Sequence, residues 1–335
     1  MRKRNLEFGR RLTCFFLAVL MSLFFMGPAQ ADLGDPVPEG FSTVIFEDSW
    51  PQVGDQDFND VVIRYHVAIH RDAVGRVSRL VIQLLPQANG GTRRNGLAFR
   101  FAIPVATPHV AWLQEGDEGP KEIDPVAGES ELTFVVYQDF SDAFPGAETG
   151  ELINTRPDKV VRSARPIELG IEFGSPLDLP VNAPFDVFIF RTDNYAHQIH
   201  LSDFGPTGLS LADSAIADLF GSGQDCSDQI CYGEGGSISD NLNRYYVNAQ
   251  GLPWALEFPG RSAWPQEGVA LSLAYPELPE WLEYGGMMPN DWWLHRNALY
   301  LFPLLAVPGL LPGGVGVLLC LLTGIGVWRL RRFPG

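Results

Sequence analysis

The chain has 335 residues, 46% of them hydrophobic, which excludes an intrinsically disordered protein and provides for one large core or two modest ones. Its formal net charge is −16, and the part between residues 32 and 328 holds 16 basic and 39 acidic side chains, a net charge of −23. A region this acidic excludes nucleic acid as a partner and favours cations such as calcium, although solubility alone also accounts for a high negative charge.

Residues 1–31 have the order of a secretory signal peptide. Basic residues between Arg2 and Arg11 precede an apolar block from Leu12 to Met26, and an Ala-x-Ala cleavage site ends at Ala31. An uncleaved membrane anchor is the alternative, but the apolar block is short for a membrane span. We therefore predict an exported protein whose mature chain begins near Asp32 and opens with a linker over residues 32–40.

The strongest chemical signal is an acidic turn, Phe46 to Asp60, which runs into the β-branched and aromatic segment Val61 to Val67. Trp50 and Phe58 within this turn are expected to anchor it to the core. Carboxylate and amide oxygens at close spacing suit Ca²⁺ far better than Zn²⁺. We therefore predict a calcium site, with these candidate ligands: Asp55, Asp57, Asn59, Asp60, Glu47 and Asp48.

The motif Asp55-x-Asp57-x-Asn59 matches the start of an EF-hand loop, but the rest of that loop is missing. Asp60 stands where the turn needs glycine, and His66 stands where a bidentate glutamate is required. The site is therefore not an EF-hand. Asp and Asn side chains also cap turns by bonding to nearby backbone, so a rigid turn without a metal is the alternative interpretation.

Seven short segments are predicted strands, because each is apolar or alternating and is bounded by Gly, Pro, Asn or Asp. They are residues 41–46, 61–70, 77–85, 97–103, 132–137, 167–173 and 185–191. Almost no helical periodicity separates them, so the predicted fold is all-β, a jelly-roll-like or Ig-like β-sandwich with long loops. Surface loops are expected at residues 114–131 and 139–158, and one short helix at Ser210 to Phe220.

The predicted exported region contains two cysteines, Cys226 and Cys231. They are close in sequence within a loop, and an oxidising compartment favours a local disulfide between them. A metal site would need more ligands than one cysteine pair supplies.

Aromatic residues are dense beyond residue 244. They would line a carbohydrate-binding cleft, with Trp264 and Trp292 as candidate glycan contacts, or they would cap the core of a β-rich domain. The sequence has no metalloprotease motif, no nucleophile elbow and no phosphate-binding glycine loop. We therefore predict no catalytic residues and expect that the protein is not an enzyme, with a secreted hydrolase as a third alternative.

Residues 297–335 are predicted to be a C-terminal membrane and sorting segment. Leu301 to Trp328 is almost free of charge, and the basic cluster Arg329 to Arg332 after it would lie in the cytoplasm. Proline and glycine interrupt this run, so the predicted transmembrane helix is about Leu310 to Trp328. Together with the short motif at residues 307–310, this order resembles the bacterial sorting tails related to PEP-CTERM, which a membrane protease cuts. A plain single-pass anchor is the alternative.

Three sets of residues resemble the LruC-domain family of exported bacterial proteins. The first is the acidic turn from Phe46 to Val62, and the second comprises His200-Leu201 and Pro206-Thr207. The third lies near the carboxyl end: Leu252-Pro253-Trp254-Ala255, Trp264-Pro265-Gln266-Glu267-Gly268, Ala274-Tyr275-Pro276 and Asp291-Trp292. The resemblance covers most of residues 41–296 and implies a single exported surface domain, with no chemistry attached to it.

We therefore expect an exported, calcium-stabilised β-sandwich anchored at the cell surface, with a structural, adhesive or extracellular-matrix role. A carbohydrate-binding module of the envelope or exopolysaccharide is the alternative. The expected partners are the membrane through the C-terminal segment, a sortase-like membrane protease, and a surface glycan or matrix protein.

Overall fold

The computed structural model describes residues 40–148, 150–179, 185–220, 225, 245–284 and 289–303. The predicted signal peptide, the cysteine pair Cys226 and Cys231, and the predicted membrane helix lie outside the described residues. Across the part of the chain that is described, no helix has the length and apolar character needed to cross a membrane.

The described residues form eleven strands. They are β1 (Ser42–Phe46), β2 (Val61–Arg71), β3 (Val77–Ala88), β4 (Asn95–Pro104), β5 (His109–Glu115), β6 (Lys121–Ile123), β7 (Glu131–Tyr137), β8 (Ile167–Leu177), β9 (Phe185–Arg191), β10 (Asn194–His200) and β11 (Ala255–Pro259). Seven strands pair in the order β11-β1-β2-β3-β8-β5-β6, and four pair in the order β10-β9-β4-β7. Every pairing is antiparallel, as expected for an all-β sandwich.

All seven predicted strands are present, and the sequence reasoning missed four others: β5, β6, β10 and β11. Two of these strands lack the sequence signal of a strand, one because it is short and the other because it is polar. Strand β6 is three residues long inside a predicted loop, and β10 carries polar residues at most positions. An alternating apolar pattern is the main signal of a half-buried strand, so polar or very short strands escape detection.

The prediction of one short helix is wrong. Residues 210–220 contain parts of two short helices, Gly208–Ala212 and Ser214–Ala217. Asp213 separates them because its side chain accepts a hydrogen bond from Ala215 N and caps the second helix. Further short helices lie at Leu271–Ala274 and Leu278–Glu283, with 3₁₀ turns at Phe140–Ala143 and Trp292–Leu294.

The core lies between the two sheets and follows the two-residue period of the strands. Alternate apolar residues of β3, β8 and β4 are buried in it: Leu80, Ile82, Leu84, Ile167, Leu169, Ile171, Leu97, Phe99 and Phe101. Tyr65 of β2 meets Phe99 edge to face, with ring centroids 6.1 Å apart. Burying a side chain of this size stabilises the fold by about 1.5 to 3 kcal/mol.

The C-terminal aromatic segment covers the outer face of β11, β1 and β2. Val44 and Phe46 face the core, so their neighbour Thr43 faces outward, and in the register it lies opposite Phe258. Phe258 and Trp292 meet edge to face at 5.3 Å. This segment therefore acts as a third layer over one half of the larger sheet.

Residues 297–303 belong with this layer rather than with the tail. Leu301 forms an isolated β-bridge with Pro265, and Phe302 stacks on Trp264 with ring centroids 5.6 Å apart. Both Leu301 and Phe302 are buried. The folded domain therefore continues to Pro303, beyond the boundary predicted at residue 296.

A polar network lies under the smaller sheet. Arg100 of β4 forms an ion pair with Asp186 of β9, with Nη2 2.8 Å from Oδ2. The same Oδ2 lies 2.6 Å from Nδ1 of His200, whose ring stacks between Phe188 and Tyr246. Burial lowers the pKa of His200 and favours the neutral ring. His200 is fully buried.

Candidate functional site

The acidic turn connects β1 to β2, and both of its ends are fixed because Phe46 pairs with Val61. Trp50 attaches its middle to the opposite sheet. Its ring contacts His197 of β10 at 5.1 Å, and its Nε1 donates to Oδ2 of Asp225 at 2.6 Å. Trp50 and Phe58 are 2% and 1% exposed, so their predicted anchoring role is confirmed.

The turn gathers five of the six predicted ligands into two groups. One holds Glu47, Asp48 and Asp60, all buried, and the other holds Glu47, Asp55 and Asp57, of which Asp55 is exposed. Within each group, one carboxylate oxygen from every residue lies within 4.8 Å of the others. Glu47 belongs to both groups and therefore stands at the centre of the site.

The first group is partly neutralised by side chains at the start of β4. Nη1 of Arg93 lies 3.2 Å from Oδ1 of Asp48, and Nδ2 of Asn95 donates to Oδ2 of Asp48 at 2.8 Å. The backbone N–H of Asp48 donates to Oδ2 of Asp60 at 2.7 Å. These contacts compensate a share of the buried negative charge without a metal.

The second group is served mainly by backbone donors. The two oxygens of Asp57 accept hydrogen bonds from the N–H groups of Asn59, at 3.2 Å, and Gly268, at 2.8 Å. Oε1 of Glu47 accepts from Oγ of Ser49, whereas Oε2 is buried with no hydrogen-bond partner among the described residues. Turn capping thus accounts for Asp57 but leaves an oxygen of Glu47 unexplained. A buried, unsatisfied polar atom of this kind indicates a missing ion or water.

Burial, with a smaller contribution from neighbouring carboxylates, raises the pKa values of these acids. Burial, followed by neighbouring acids, raises the pKa of Glu47 to about 7, and burial raises the pKa of Asp57 to about 7. Burial and the charges of Asp48 and Glu47 also raise the pKa of Asp60 well above its usual range. These acids repel one another when charged, so a bound cation would stabilise the loop.

Asn59 and Glu267 are not members of the two carboxylate groups. Nδ2 of Asn59 donates to the carbonyl oxygen of Pro265 at 3.3 Å, and its Oδ1 is buried with no hydrogen-bond partner among the described residues. Glu267 was missed, yet its negative charge contributes to the raised pKa of Asp57. Glu267 lies in the motif from Trp264 to Gly268 that the family resemblance includes. Sequence alone could not bring it to the turn, because Asp57 and Gly268 are 211 residues apart.

Gly90 lies in close contact with Asn59 of the acidic turn. A Cβ atom at Gly90 would stand 1.9 Å from Oδ1 of Asn59 and 2.9 Å from its backbone oxygen. We therefore expect Gly90→Ala to destabilise the fold by about 1 to 3 kcal/mol through overpacking, measured as a lower urea midpoint. The control is Gly119→Ala, since a Cβ there meets nothing within 4 Å. Equal midpoints for the two variants would contradict the steric argument.

The metal-free protein is expected to lose stability as the pH rises from 4 to 7. The pKa values of Glu47 and Asp57 are near 7 in the folded chain, against 4.5 and 3.8 as reference values. The folded state therefore binds more protons in this window, and deprotonation costs stability as pH passes through the folded pKa. Melting in EDTA across pH 5 to 8 tests this, and Asp57→Asn should fall less steeply than the wild type. Parallel curves for the two proteins would contradict it.

The predicted glycan contacts are not on the surface. Trp264 and Trp292 are each 2% exposed. Nε1 of Trp264 donates to the carbonyl oxygen of Asn154 at 2.8 Å, and Trp292 packs against Phe258 and Tyr275. Both indoles therefore belong to the aromatic layer and present no free ring face to a sugar, which corrects their assignment as contact residues.

Comparison with known proteins gives a family and a fold. The family model described as "Domain of unknown function (DUF4842)" matches residues 75–293. Among solved structures, the chain is similar to a Bacteroides ovatus protein described as a "Putative lipoprotein", with a TM-score of 0.55 and 16% identity, over 78% of this chain and 75% of that one. No curated protein matches. The structural similarity supports the sandwich fold alone.

Proposed function

We propose that this chain, which belongs to the family described as domain of unknown function DUF4842, is an exported bacterial surface domain stabilised by calcium. Its role in this proposal is structural, adhesive or part of an extracellular matrix. The ion would be held by Glu47, Asp55 and Asp57. The observation that carries the proposal is the buried, unpartnered Oε2 of Glu47 within a group of carboxylates.

The donor set favours calcium over other metals. The three residues offer only carboxylate oxygens, which are hard ligands, and no thiol or imidazole lies in this group. Asp55 is exposed, so one side of the group is open to solvent and could supply water ligands. Calcium accepts six to eight oxygens in irregular geometry, whereas magnesium demands a near-ideal octahedron.

A site open to solvent, built from one loop and a distant backbone turn, suits a compartment with abundant calcium. Extracellular calcium modules bind with dissociation constants of about 10⁻⁴ to 10⁻³ M, which is sufficient only outside the cytoplasm. The predicted signal peptide agrees with that location, and the structurally similar Bacteroides ovatus protein is described as a "Putative lipoprotein". The LruC-like motifs also support export, and the PEP-CTERM-like tail supports anchoring.

Titration calorimetry of the purified protein with CaCl₂ tests the metal. We expect binding with a dissociation constant of about 10⁻⁵ to 10⁻³ M, weaker binding of MgCl₂, and at least a tenfold loss of calcium affinity in Asp57→Asn. The matched control is Asp124→Asn, an exposed acid outside the turn. Absence of calcium uptake by the wild type at millimolar concentration would overturn the proposal.

The surface role has a separate test. Cells that carry the wild-type protein should aggregate or attach in millimolar calcium, and cells that carry equal surface amounts of Asp57→Asn should do so less. Unchanged attachment by this variant, together with confirmed calcium binding, would reject the calcium-dependent adhesive role and leave the metal site standing.

A further inference from the structure

Among the described residues, the aromatic layer covers one half of the outer face of the larger sheet and leaves the other half uncovered. The aromatic layer lies over β11, β1 and β2, whereas the outward side chains of β3, β8 and β5 form a separate open surface. The register arranges them in three cross-strand rows. One row is Gln83, Glu168 and Gln114, the next is Val81, Gly170 and Trp112, and the third is Arg79, Glu172 and Val110.

The middle row contains one aromatic residue, Trp112, whose flat indole ring covers Gly170. This ring is called the platform below. A Cβ atom at Gly170 would lie 2.1 Å from Cε2 of Trp112, so the indole occupies the space where a side chain of β8 would stand. Val81, beyond Gly170 in the same row, is only 6% exposed although it faces outward. The missing side chain therefore lets the indole of Trp112 lie against the sheet.

Hydrogen-bonding groups flank this platform on both sides. Nε2 of Gln83 donates to Oε2 of Glu168 at 3.4 Å in one row, and Arg79 pairs with Glu172 at 3.7 Å in the other. The guanidinium of Arg79 lies over the Trp112 ring, with its central carbon 5.4 Å from the ring centroid, so a sugar bound on this ring would displace Arg79 from it. Next to the first row is a cavity of about 390 Å³, lined partly by Gln83, Gln114 and Glu168.

We propose that this open face binds a neutral glycan, with one sugar ring on Trp112 and the next in the adjoining cavity. An aromatic ring flanked by amide and carboxylate side chains matches a sugar, which has an apolar C–H face and a rim of hydroxyl groups. The hydroxyls would bond to Gln83, Gln114 and Glu168. The cavity volume is within the range of small-ligand sites.

The negative charge of this face favours neutral over acidic glycans. Glu168, Glu172 and the cavity residue Asp117 carry negative charge on this face, against the single positive charge of Arg79 in the three rows. Acidic polysaccharides would be repelled. A protein partner fits less well, because Val110 is the one large hydrophobic residue of the three rows that is strongly exposed, at 52%. Stable protein interfaces have a more apolar centre than that.

The test is affinity electrophoresis of the full-length protein in gels containing a neutral polysaccharide (laminarin, galactomannan or xyloglucan) or acidic alginate. We expect retardation by at least one neutral polymer and none by alginate. Trp112→Ala should weaken this binding at least tenfold, and Glu168→Gln should weaken it without removing the platform. The matched control is Trp293→Ala, a half-buried tryptophan of the aromatic layer, which should bind like the wild type.

Four results would overturn the proposal: no retardation by the neutral polymers, binding to alginate alone, wild-type binding by Trp112→Ala, or equal losses in Trp112→Ala and Trp293→Ala. A concentration-dependent dimer that Trp112→Ala abolishes would assign the face to a second copy of the chain and would also overturn it. Circular dichroism of each variant verifies folding, and the exposed substitution Gln83→Ala replaces any variant that fails to fold. The calcium site is on other elements, so Asp57→Asn should leave glycan binding unchanged in calcium buffer.

Discussion

Asp186→Ala is expected to lower the free energy of unfolding by about 3 to 5 kcal/mol, because it removes the buried and closer ion-pair partner of Arg100 and leaves only Glu131, 3.8 Å away and 40% exposed. Asp186 is 1% exposed, and the side chain of Arg100 is 13% exposed. The same substitution removes the acceptor for Nδ1 of His200, which is fully buried. The measurement is the urea unfolding midpoint at pH 7, where a loss of this size is a large fraction of the total stability.

The matched control is Asp193→Ala. Asp193 forms an ion pair with Arg191 at 3.6 Å near the end of the same sheet, but its side chain is 73% exposed. Solvent screens a pair of this kind, so little or no loss is expected. Equal midpoints for Asp186→Ala and Asp193→Ala would show that burial of the Arg100 pair does not govern stability. A variant of Asp186 that fails to accumulate would be replaced by Asp186→Asn, which keeps the shape and should lose less.

Removal of calcium is the second large effect. EDTA is expected to lower the melting temperature of the protein by about 5 to 10 °C relative to calcium at a hundred times its dissociation constant. A ligand at a hundred times its dissociation constant stabilises the folded state by about 2.7 kcal/mol, and in a domain of this size each kcal/mol shifts the midpoint by about 2 to 4 °C. The physical origin is relief of repulsion among Glu47, Asp55 and Asp57, whose oxygens lie within 4.8 Å of one another.

Control variants separate the effect of the bound ion on stability from the effect of changing the loop itself. Calcium should raise the melting temperature of Asp57→Asn by less than that of the wild type, because the variant loses a ligand charge, whereas Asp124→Asn should respond like the wild type. Substitution of Asp57 also changes its bonds to Asn59 and Gly268, so the informative quantity is the shift caused by calcium within each protein. Identical melting of the wild type in EDTA and in calcium would reject the calcium site.

The sequence was sufficient for the class of fold. Segments such as Leu97–Ile103 and Leu132–Tyr137 alternate or are continuously apolar over lengths typical of strands, and both are strands in the structure. The signal is local, because each strand carries its own period of two. Strand β10 lacked it, and its pairing with β9 depends on a neighbouring strand rather than on its own pattern.

The sequence likewise identified the acidic turn as the centre of the candidate site, because Glu47, Asp55 and Asp57 are close along the chain and any turn keeps them close. It could not identify Gly268 as the donor to Asp57, or Arg93 as the partner of Asp48. These contacts join distant segments, and only the packing of the aromatic layer and of β4 against the turn decides them.

The tryptophans show the same division. Composition alone indicated an aromatic-rich carboxyl end, and it left Trp264 and Trp292 open between glycan contacts and residues that cap the core, whereas Trp112 was not singled out. The structure buries the first two, each at 2% exposure, and lays the third over Gly170 on the open half of the sheet. The alternation of side chains along a strand sets which face of the sheet each residue occupies. What covers that face depends on another part of the chain. The tertiary structure alone therefore decided which half of the sheet the described residues leave uncovered.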